Sequence, residues 1–167
     1  MPLLVRVIDR INNLMVLIAA VILGLMTFVI LLEIFLWNTL STSTLIADEY
    51  SAYGLAAITF LGAGFCLKEK GHIRINLVLV ALPAKVSRIV TFGSTCLATV
   101  FMGCLWWYLF KMVASTVRYQ STSGTLTNTP LWIPQTVMLI GAAAFVLQFL
   151  SSCIKTFQAI QTGEDVF

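Results

Sequence analysis

Long apolar stretches separated by short polar segments dominate this chain. Four of them, over residues 11–37, 49–67, 84–110 and 132–155, have the length for a membrane-spanning helix, which takes about 20 mostly apolar residues. The pattern predicts an all-α membrane protein, a single membrane domain over residues 1–167 with four transmembrane helices.

The first apolar stretch follows Arg6 and Arg10, an arrangement that a secretory signal peptide shares. A signal peptide has an apolar core of about 7–15 residues. The apolar run here extends from Ile11 to Leu36 and is therefore long enough to span. We expect an uncleaved first transmembrane helix.

A shorter apolar segment, residues 73–82, separates the second and third stretches and ends before Pro83. It is too short to span, and proline interrupts the hydrogen-bond ladder of a helix. The favoured interpretation is a short helix lying in the membrane interface. The alternative is an N-terminal extension of the third helix that kinks at Pro83.

The composition agrees with this class. Hydrophobic residues make up 59% of the chain and charged residues only 10%, whereas soluble domains carry about 25% charged residues. A mean hydropathy of +0.97 excludes an ordinary water-exposed surface. The small net charge of +3 gives no indication of nucleic-acid binding.

The placement of the basic residues predicts the orientation. Two of the ten, Lys111 and Arg118, lie between the third and fourth apolar stretches. The other eight fall on the opposite side: Arg6, Arg10, Lys68, Lys70, Arg74, Lys85, Arg88 and Lys155. Because cytoplasmic loops are enriched in lysine and arginine, both ends of the chain are predicted to be cytoplasmic.

The cysteines give no indication of a disulfide framework or a metal site. Each lies in an apolar run, and no two have C-x-x-C spacing: Cys66, Cys96, Cys104 and Cys153. We expect buried, inert thiols.

Small residues recur at four-residue spacing, which allows close helix approach in lipid. They are Ala20 and Gly24, Ala52 and Ala56, and then Thr95, Thr99 and Gly103. Packing within the bundle is the favoured interpretation, and docking to a larger partner is the alternative.

Glu33 is the first candidate functional residue, because a carboxylate inside a membrane segment is costly. It lies four residues before Trp37, about 6 Å along a helix from an aromatic ring typical of the interface. We expect interfacial solvation or a contact with a partner helix. A proton-coupling role is the alternative.

Asp48 and Glu49 precede the second apolar stretch. Acidic side chains at a helix N-terminus satisfy free N–H groups and the helix dipole, so capping is the first expectation. A contact with a soluble partner is the second.

The basic turn contains Lys68, Lys70 and Arg74, with Arg88 further on. These cations are expected to meet anionic lipid headgroups, and a specific lipid or partner site is the sharper alternative. His72, the single histidine, cannot supply a metal or bis-histidine haem site alone. We expect it to bond a carbonyl or a lipid phosphate. No catalytic constellation, phosphate-binding loop or cofactor site is apparent.

Several short motifs occur in order between the predicted helices: DEYS at 48–51, FLGA at 60–63, GHIRINL at 71–77, LP at 82–83 and PLWIP at 130–134, followed by Gly141. In this order and spacing the chain resembles the small membrane (Q, or DctQ-like) subunit of tripartite ATP-independent periplasmic (TRAP) transporters. It departs from the family pattern at Asn76, usually acidic, at Leu36-Trp37, often an arginine–aromatic pair, and at Ile46-Ala47, where a tryptophan is common.

The resemblance implies a small accessory subunit in the bacterial inner membrane. Its partners would be a large multi-span membrane (M) subunit, a periplasmic substrate-binding (P) protein and membrane phospholipid. The M subunit would import organic acids with sodium by an elevator-type movement, and the small subunit would serve as a scaffold that does not bind substrate. The main alternative is a stand-alone proton-coupled exporter using Glu33; a haem or quinone anchor is disfavoured by the single histidine.

Overall fold

The computed structural model describes residues 3–43, 46–69, 84–125 and 127–162. Four helices account for nearly all of them: α1 (Leu3–Leu40), α2 (Ala47–Lys68), α3 (Ala84–Tyr119) and α4 (Trp132–Thr162). Each is long and apolar enough to cross a membrane, which confirms the predicted all-α class with four spanning helices. The predicted interfacial segment, residues 73–82, lies outside the described residues.

Three helices extend well beyond the apolar stretches that predicted them. α1 begins before Arg6 and continues to Leu40, and α3 continues to Tyr119. With a rise of about 1.5 Å per residue, each exceeds the roughly 30 Å of a bilayer core. Charged residues in the additional turns favour water but do not oppose helical dihedrals, so a helix can continue beyond the apolar stretch.

Left-handed residues other than glycine end two of the helices. Ser41 (φ 49°) follows α1, and Gln120 (φ 48°) follows α3. After α3 the Gln120 amide donates to Val117 O at 3.3 Å and the Ser121 amide to Thr116 O at 3.1 Å. This pair of bonds is the Schellman motif, which satisfies carbonyls that the helix leaves free.

The four helices do not enclose one common core. α1, α2 and α4 pack against one another, whereas α3 packs extensively only against α4 among the described helices. The buried apolar cluster is correspondingly small, with Ala19, Ala57 and Leu61 at its centre and Val137 of α4 packed against it. α3 is therefore attached to the side of a three-helix core.

Glycine allows α2 and α4 to touch backbone to backbone. A Cβ at Gly141 would lie 2.7 Å from the carbonyl carbon of Phe60 and 2.8 Å from the amide nitrogen of Leu61. No side chain fits there without moving one helix. This contact fixes the separation of α2 and α4, as small residues commonly do in membrane bundles.

The prediction that the small residues pack within the bundle is correct for some of them only. Thr95 is buried and Thr99 contacts α4, as expected for bundle packing. On α1, however, Ala20 and Gly24 are exposed, and Ala19 packs in the core instead. Four-residue spacing marks a face of a helix but not which face turns inward.

Candidate functional site

Polar side chains gather at the two ends of the three-helix core. One end holds Glu33, Asp48, Glu49 and the connection between α3 and α4, and we call it the acidic end. The other holds the start of α1, the end of α2 and the end of α4, and we call it the basic end.

Glu33 lies on the last two turns of α1, half-buried, and accepts a hydrogen bond from the Ser43 hydroxyl. Ser43 follows the end of the helix, so the carboxylate is directed toward the connection to α2. Helical structure continues through Trp37 as far as Leu40, and the interfacial depth of Glu33 stays a prediction.

Glu49 joins α2 to the connection between α3 and α4. Its Oε1 accepts a 2.7 Å hydrogen bond from the Tyr53 hydroxyl, and its Oε2 accepts hydrogen bonds from the Thr125 and Thr127 hydroxyls. Hydrogen bonds to an ionised group are stronger than neutral ones. The carboxylate therefore binds a segment more than 70 positions away in the chain.

Asp48 and Glu49 do not occupy the N-cap position of α2. Ile46 occupies the N-cap position, where no side chain makes a capping hydrogen bond, and the helix begins at Ala47. Asp48 and Glu49 lie in the first turn, where a negative charge still favours the helix dipole. Asp48 is exposed, whereas Glu49 is half-buried by its contacts.

The connection that binds Glu49 is itself folded. Thr122 and Pro130 form an isolated antiparallel bridge, and the Ser123 amide donates to Thr129 O at 2.9 Å. The Ser123 hydroxyl accepts the Thr129 amide at 3.0 Å. We call Glu49, Tyr53, Ser123, Thr125 and Thr127 the Glu49 cluster. The sequence indicated only a polar exposed connection, and no local signal paired it with Glu49.

At the basic end, Lys68 and Lys155 both reach α1. Lys68 Nζ donates to Asn13 Oδ1 at 2.8 Å and also lies 3.2 Å from Glu69 Oε1. Lys155 Nζ lies 3.6 Å from Asp9 Oδ2. The start of α1 and the ends of α2 and α4 therefore meet at one end of the molecule.

A buried polar group lies next to these ion pairs, one that sequence reasoning missed. Asn12 is fully buried on α1, and its Nδ2 donates to Gln148 Oε1 of α4 at 2.9 Å and to Ile8 O at 3.0 Å. Gln148 Nε2 in turn donates to Asp9 Oδ1 at 3.4 Å. We call Asp9, Asn12, Gln148 and Lys155 the polar knot. The sequence indication of this cluster was the presence of two amide side chains, those of Asn12 and Gln148, inside apolar stretches.

α2 closes over the polar knot through a glycine. A Cβ at Gly64 would overlap Oδ1 of Asn12. That oxygen is buried and accepts no hydrogen bond among the described residues. Only glycine lets α2 approach this close, so the knot fixes the spacing of all three core helices.

An apolar pocket of about 290 Å³ opens on the core toward the acidic end. It lies between α1, α2 and the start of α4, with Met26, Gly54 and Val137 among its lining residues. The lining residues that have a hydroxyl group are Tyr50, Ser51, Tyr53 and Thr129. No charged side chain lines it.

The remaining predicted site residues are not brought into any described contact. Lys70, His72 and Arg74, together with the side chain of Arg88 on α3, lie outside the part of the chain that the structure describes. Within the described ranges, no group of three His, Cys, Asp or Glu side chains could hold a metal ion.

The cysteines differ from expectation at two positions. Cys66 and Cys104 are exposed, and Cys96 and Cys153 are half-buried. The prediction that all four thiols are buried is therefore wrong for the first two. In a membrane helix the outward face meets apolar lipid, so an apolar run does not imply burial within the protein.

A search of the curated proteins and a search of the solved structures each gave no match to this chain. The family model described as "Tripartite ATP-independent periplasmic transporters, DctQ component" matches residues 26–159. The match covers the second part of α1, all of α2 and α3, and most of α4, and it confirms the resemblance seen in the motifs. The chain therefore belongs to the DctQ family and is a membrane component of a tripartite transporter.

Proposed function

We propose that this DctQ component is the accessory scaffold of a sodium-coupled transporter for organic acids. It braces the large M subunit, which moves the substrate, and does not bind substrate itself. The observation that carries the proposal is the polar knot, in which the buried polar side chains of the basic end bind one another between helices.

Pairing between helices supports a bracing role. The polar knot joins α1 to α4, Gly64 brings α2 against it, and Gly141 sets the spacing of α2 and α4. Helices joined by close backbone contacts and interhelical hydrogen bonds resist sliding past one another. A neighbour that moves within the membrane needs such a rigid surface beside it.

The chemistry of the pocket supports substrate handling elsewhere in the complex. An organic acid is an anion, and sites for carboxylates use cationic or multiple N–H donors. The described pocket has only apolar side chains and a few hydroxyl groups. We infer that the M subunit and the P protein supply the substrate site.

The two ends of the molecule suggest its orientation. Lys68 and Lys155 lie at the basic end with the start of α1, and we propose that this end faces the cytoplasm in the bacterial inner membrane. Lys70, His72, Arg74 and Arg88 are proposed to meet phospholipid headgroups there. The acidic end, with Glu33, Asp48 and the Glu49 cluster, would then face the periplasm and the P protein.

The position of Glu33 supports an interfacial role over proton coupling. Its hydrogen bond from Ser43 directs it to the connection after α1. A coupling carboxylate would be expected nearer the middle of the bilayer. The stand-alone exporter is therefore not favoured by any described contact.

A mild-detergent purification of the tagged chain from its native membrane, followed by mass spectrometry, tests the proposal. We expect a stoichiometric large multi-span protein in the eluate. Sodium-driven uptake of organic acid into proteoliposomes should then require all three components. A clean homodimer without a large partner, or full uptake without this chain, would overturn the scaffold role.

A further inference from the structure

Two cysteines face each other where α3 meets α4. Sγ of Cys96 on α3 lies 3.8 Å from Sγ of Cys153 on α4. Both thiols are free and both side chains are half-buried. Among the described helices α3 packs extensively only against α4, so the pair lies in the contact that holds α3 to the protein.

We propose that Cys96 and Cys153 form a redox-responsive dithiol that an apolar hydroperoxide converts into a disulfide between α3 and α4. The proposal concerns the chain itself and does not depend on the transporter role.

The distance between the sulfurs suits this chemistry. The S–S bond of a disulfide is about 2.0 Å long, so the two sulfurs must approach by roughly 1.8 Å. Each cysteine side chain can rotate among staggered χ1 positions without moving its helix.

A neighbouring threonine orients one of the thiols. The Thr99 hydroxyl donates to Thr95 O at 2.7 Å, and Thr99 Oγ1 lies 3.3 Å from Cys153 Sγ. Because a hydroxyl has a single proton to donate, Cys153 S–H is the donor to Thr99. The Cys153 S–H then points to Thr99 Oγ1, and a lone pair of the Cys153 sulfur is free to meet the sulfur of Cys96.

The reaction balances with one hydroperoxide. One thiol sulfur takes the terminal oxygen, which gives a sulfenic acid and releases an alcohol as the O–O bond breaks. The second sulfur attacks the sulfenic sulfur, the S–S bond forms, and water leaves with the proton of the second thiol. The two thiols together lose two electrons, and the peroxide gains them. An apolar hydroperoxide can reach the pair because it dissolves in the bilayer.

The two remaining cysteines provide an internal comparison. Cys66 on α2 and Cys104 on α3 are exposed, and no described sulfur contacts either of them. They meet the same oxidant but have no described thiol at hand to complete a disulfide. The structure thus assigns the crosslink to one pair among four thiols.

The disulfide would change how α3 is held. In the reduced chain, side-chain packing and the Thr99 contact attach α3 to α4. The crosslink would prevent α3 from separating from α4 and would restrict the unfolded chain over the loop from residue 96 to residue 153. Oxidised protein should therefore unfold at a higher temperature.

Treatment of membrane vesicles carrying the full chain with cumene hydroperoxide tests the proposal. Free thiols are then blocked with N-ethylmaleimide, and the digested protein is examined by mass spectrometry. We expect a linked pair of peptides containing Cys96 and Cys153, lighter than the two thiol peptides by two hydrogen atoms and separated by dithiothreitol. Cys66 and Cys104 should be recovered in unlinked peptides, as maleimide adducts or as oxygenated thiols.

Matched variants distinguish formation of the Cys96–Cys153 disulfide from unselective oxidation of the thiols. Cys96→Ser and Cys153→Ser should each abolish the linked peptides and the rise in unfolding temperature, while the double variant Cys66→Ser/Cys104→Ser should keep both. Recovery of Cys96 and Cys153 as maleimide adducts or sulfonic acids in the unsubstituted chain after hydroperoxide treatment would overturn the proposal. Crosslinks found only through Cys66 or Cys104 would do so as well.

Discussion

Asn12 and Gln148 are joined by a 2.9 Å hydrogen bond between their side-chain amides, across 136 positions of the chain. Gln148 is almost fully buried and Asn12 is fully buried. An unpaired amide in such a position costs free energy that a paired one does not. The bond therefore specifies how α1 and α4 fit together.

Replacing Asn12 should weaken the core. Asn12→Ala leaves the Gln148 carbonyl oxygen without its donor, and we expect a loss of about 1–2 kcal/mol in the free energy of unfolding. Unfolding in detergent by heat or denaturant measures it. Asn13→Ala is the matched control: Asn13 is exposed, and its hydrogen bond from Lys68 is a surface contact that contributes little to stability. The prediction fails if Asn12→Ala and Asn13→Ala lower the free energy of unfolding equally. It also fails if the losses caused by Asn12→Ala and Gln148→Ala add in full in the double variant.

Replacing Gly64 with alanine should lower the stability of the protein more than the same replacement at Gly62. Gly64→Ala places a Cβ against Asn12 Oδ1 in a fully buried site, whereas a Cβ at Gly62 meets nothing within 4 Å. Overpacking of this kind typically costs about 1–3 kcal/mol. We expect a lower unfolding temperature for Gly64→Ala and little change for Gly62→Ala. Partial rescue by Asn12→Ala in the double variant would locate the clash, and absence of rescue would contradict it.

Neutralising Glu49 should loosen the connection between α3 and α4. Glu49→Gln removes the charge that accepts the Thr125 and Thr127 hydroxyls, at a cost of about 1–3 kcal/mol in local opening. Amide hydrogen exchange over residues 121–130 should become faster, while exchange in α4 stays unchanged. Asp48→Asn changes the neighbouring charge but not this contact. Equal acceleration in both variants would show that general charge, and not the Glu49 cluster, holds the connection.

Replacing Glu33 should leave transport partly intact. Glu33→Gln keeps the size and an acceptor for Ser43 but removes the titratable proton. Uptake by the complete three-component system in proteoliposomes should fall modestly, by less than about tenfold, corresponding to about 1.4 kcal/mol. Complete loss of uptake with normal assembly of the complex would assign Glu33 a mechanistic role. The accompanying measurement is the yield of assembled complex for the variant and the wild type.

Local patterns along the chain are enough to predict the all-α membrane class, four helices able to span a membrane, and the family. Apolar length decides whether a helix can cross a bilayer, and this property is local in the chain. The motifs from DEYS to PLWIP likewise lie in the linear order. The ends of α1 and α3 are marked by left-handed backbone at Ser41 and Gln120, a feature that hydropathy does not record.

Which polar residues contact one another is known only from the tertiary structure. Glu49 meets Thr125 and Thr127, Asn12 meets Gln148, and Cys96 meets Cys153 across separations that no local pattern encodes. In a membrane both the inward and the lipid-facing sides of a helix are apolar, so periodicity does not identify the packed face. Close approach at Gly64 and Gly141 and pairing of buried polar groups make that choice, and both depend on how the helices meet in space.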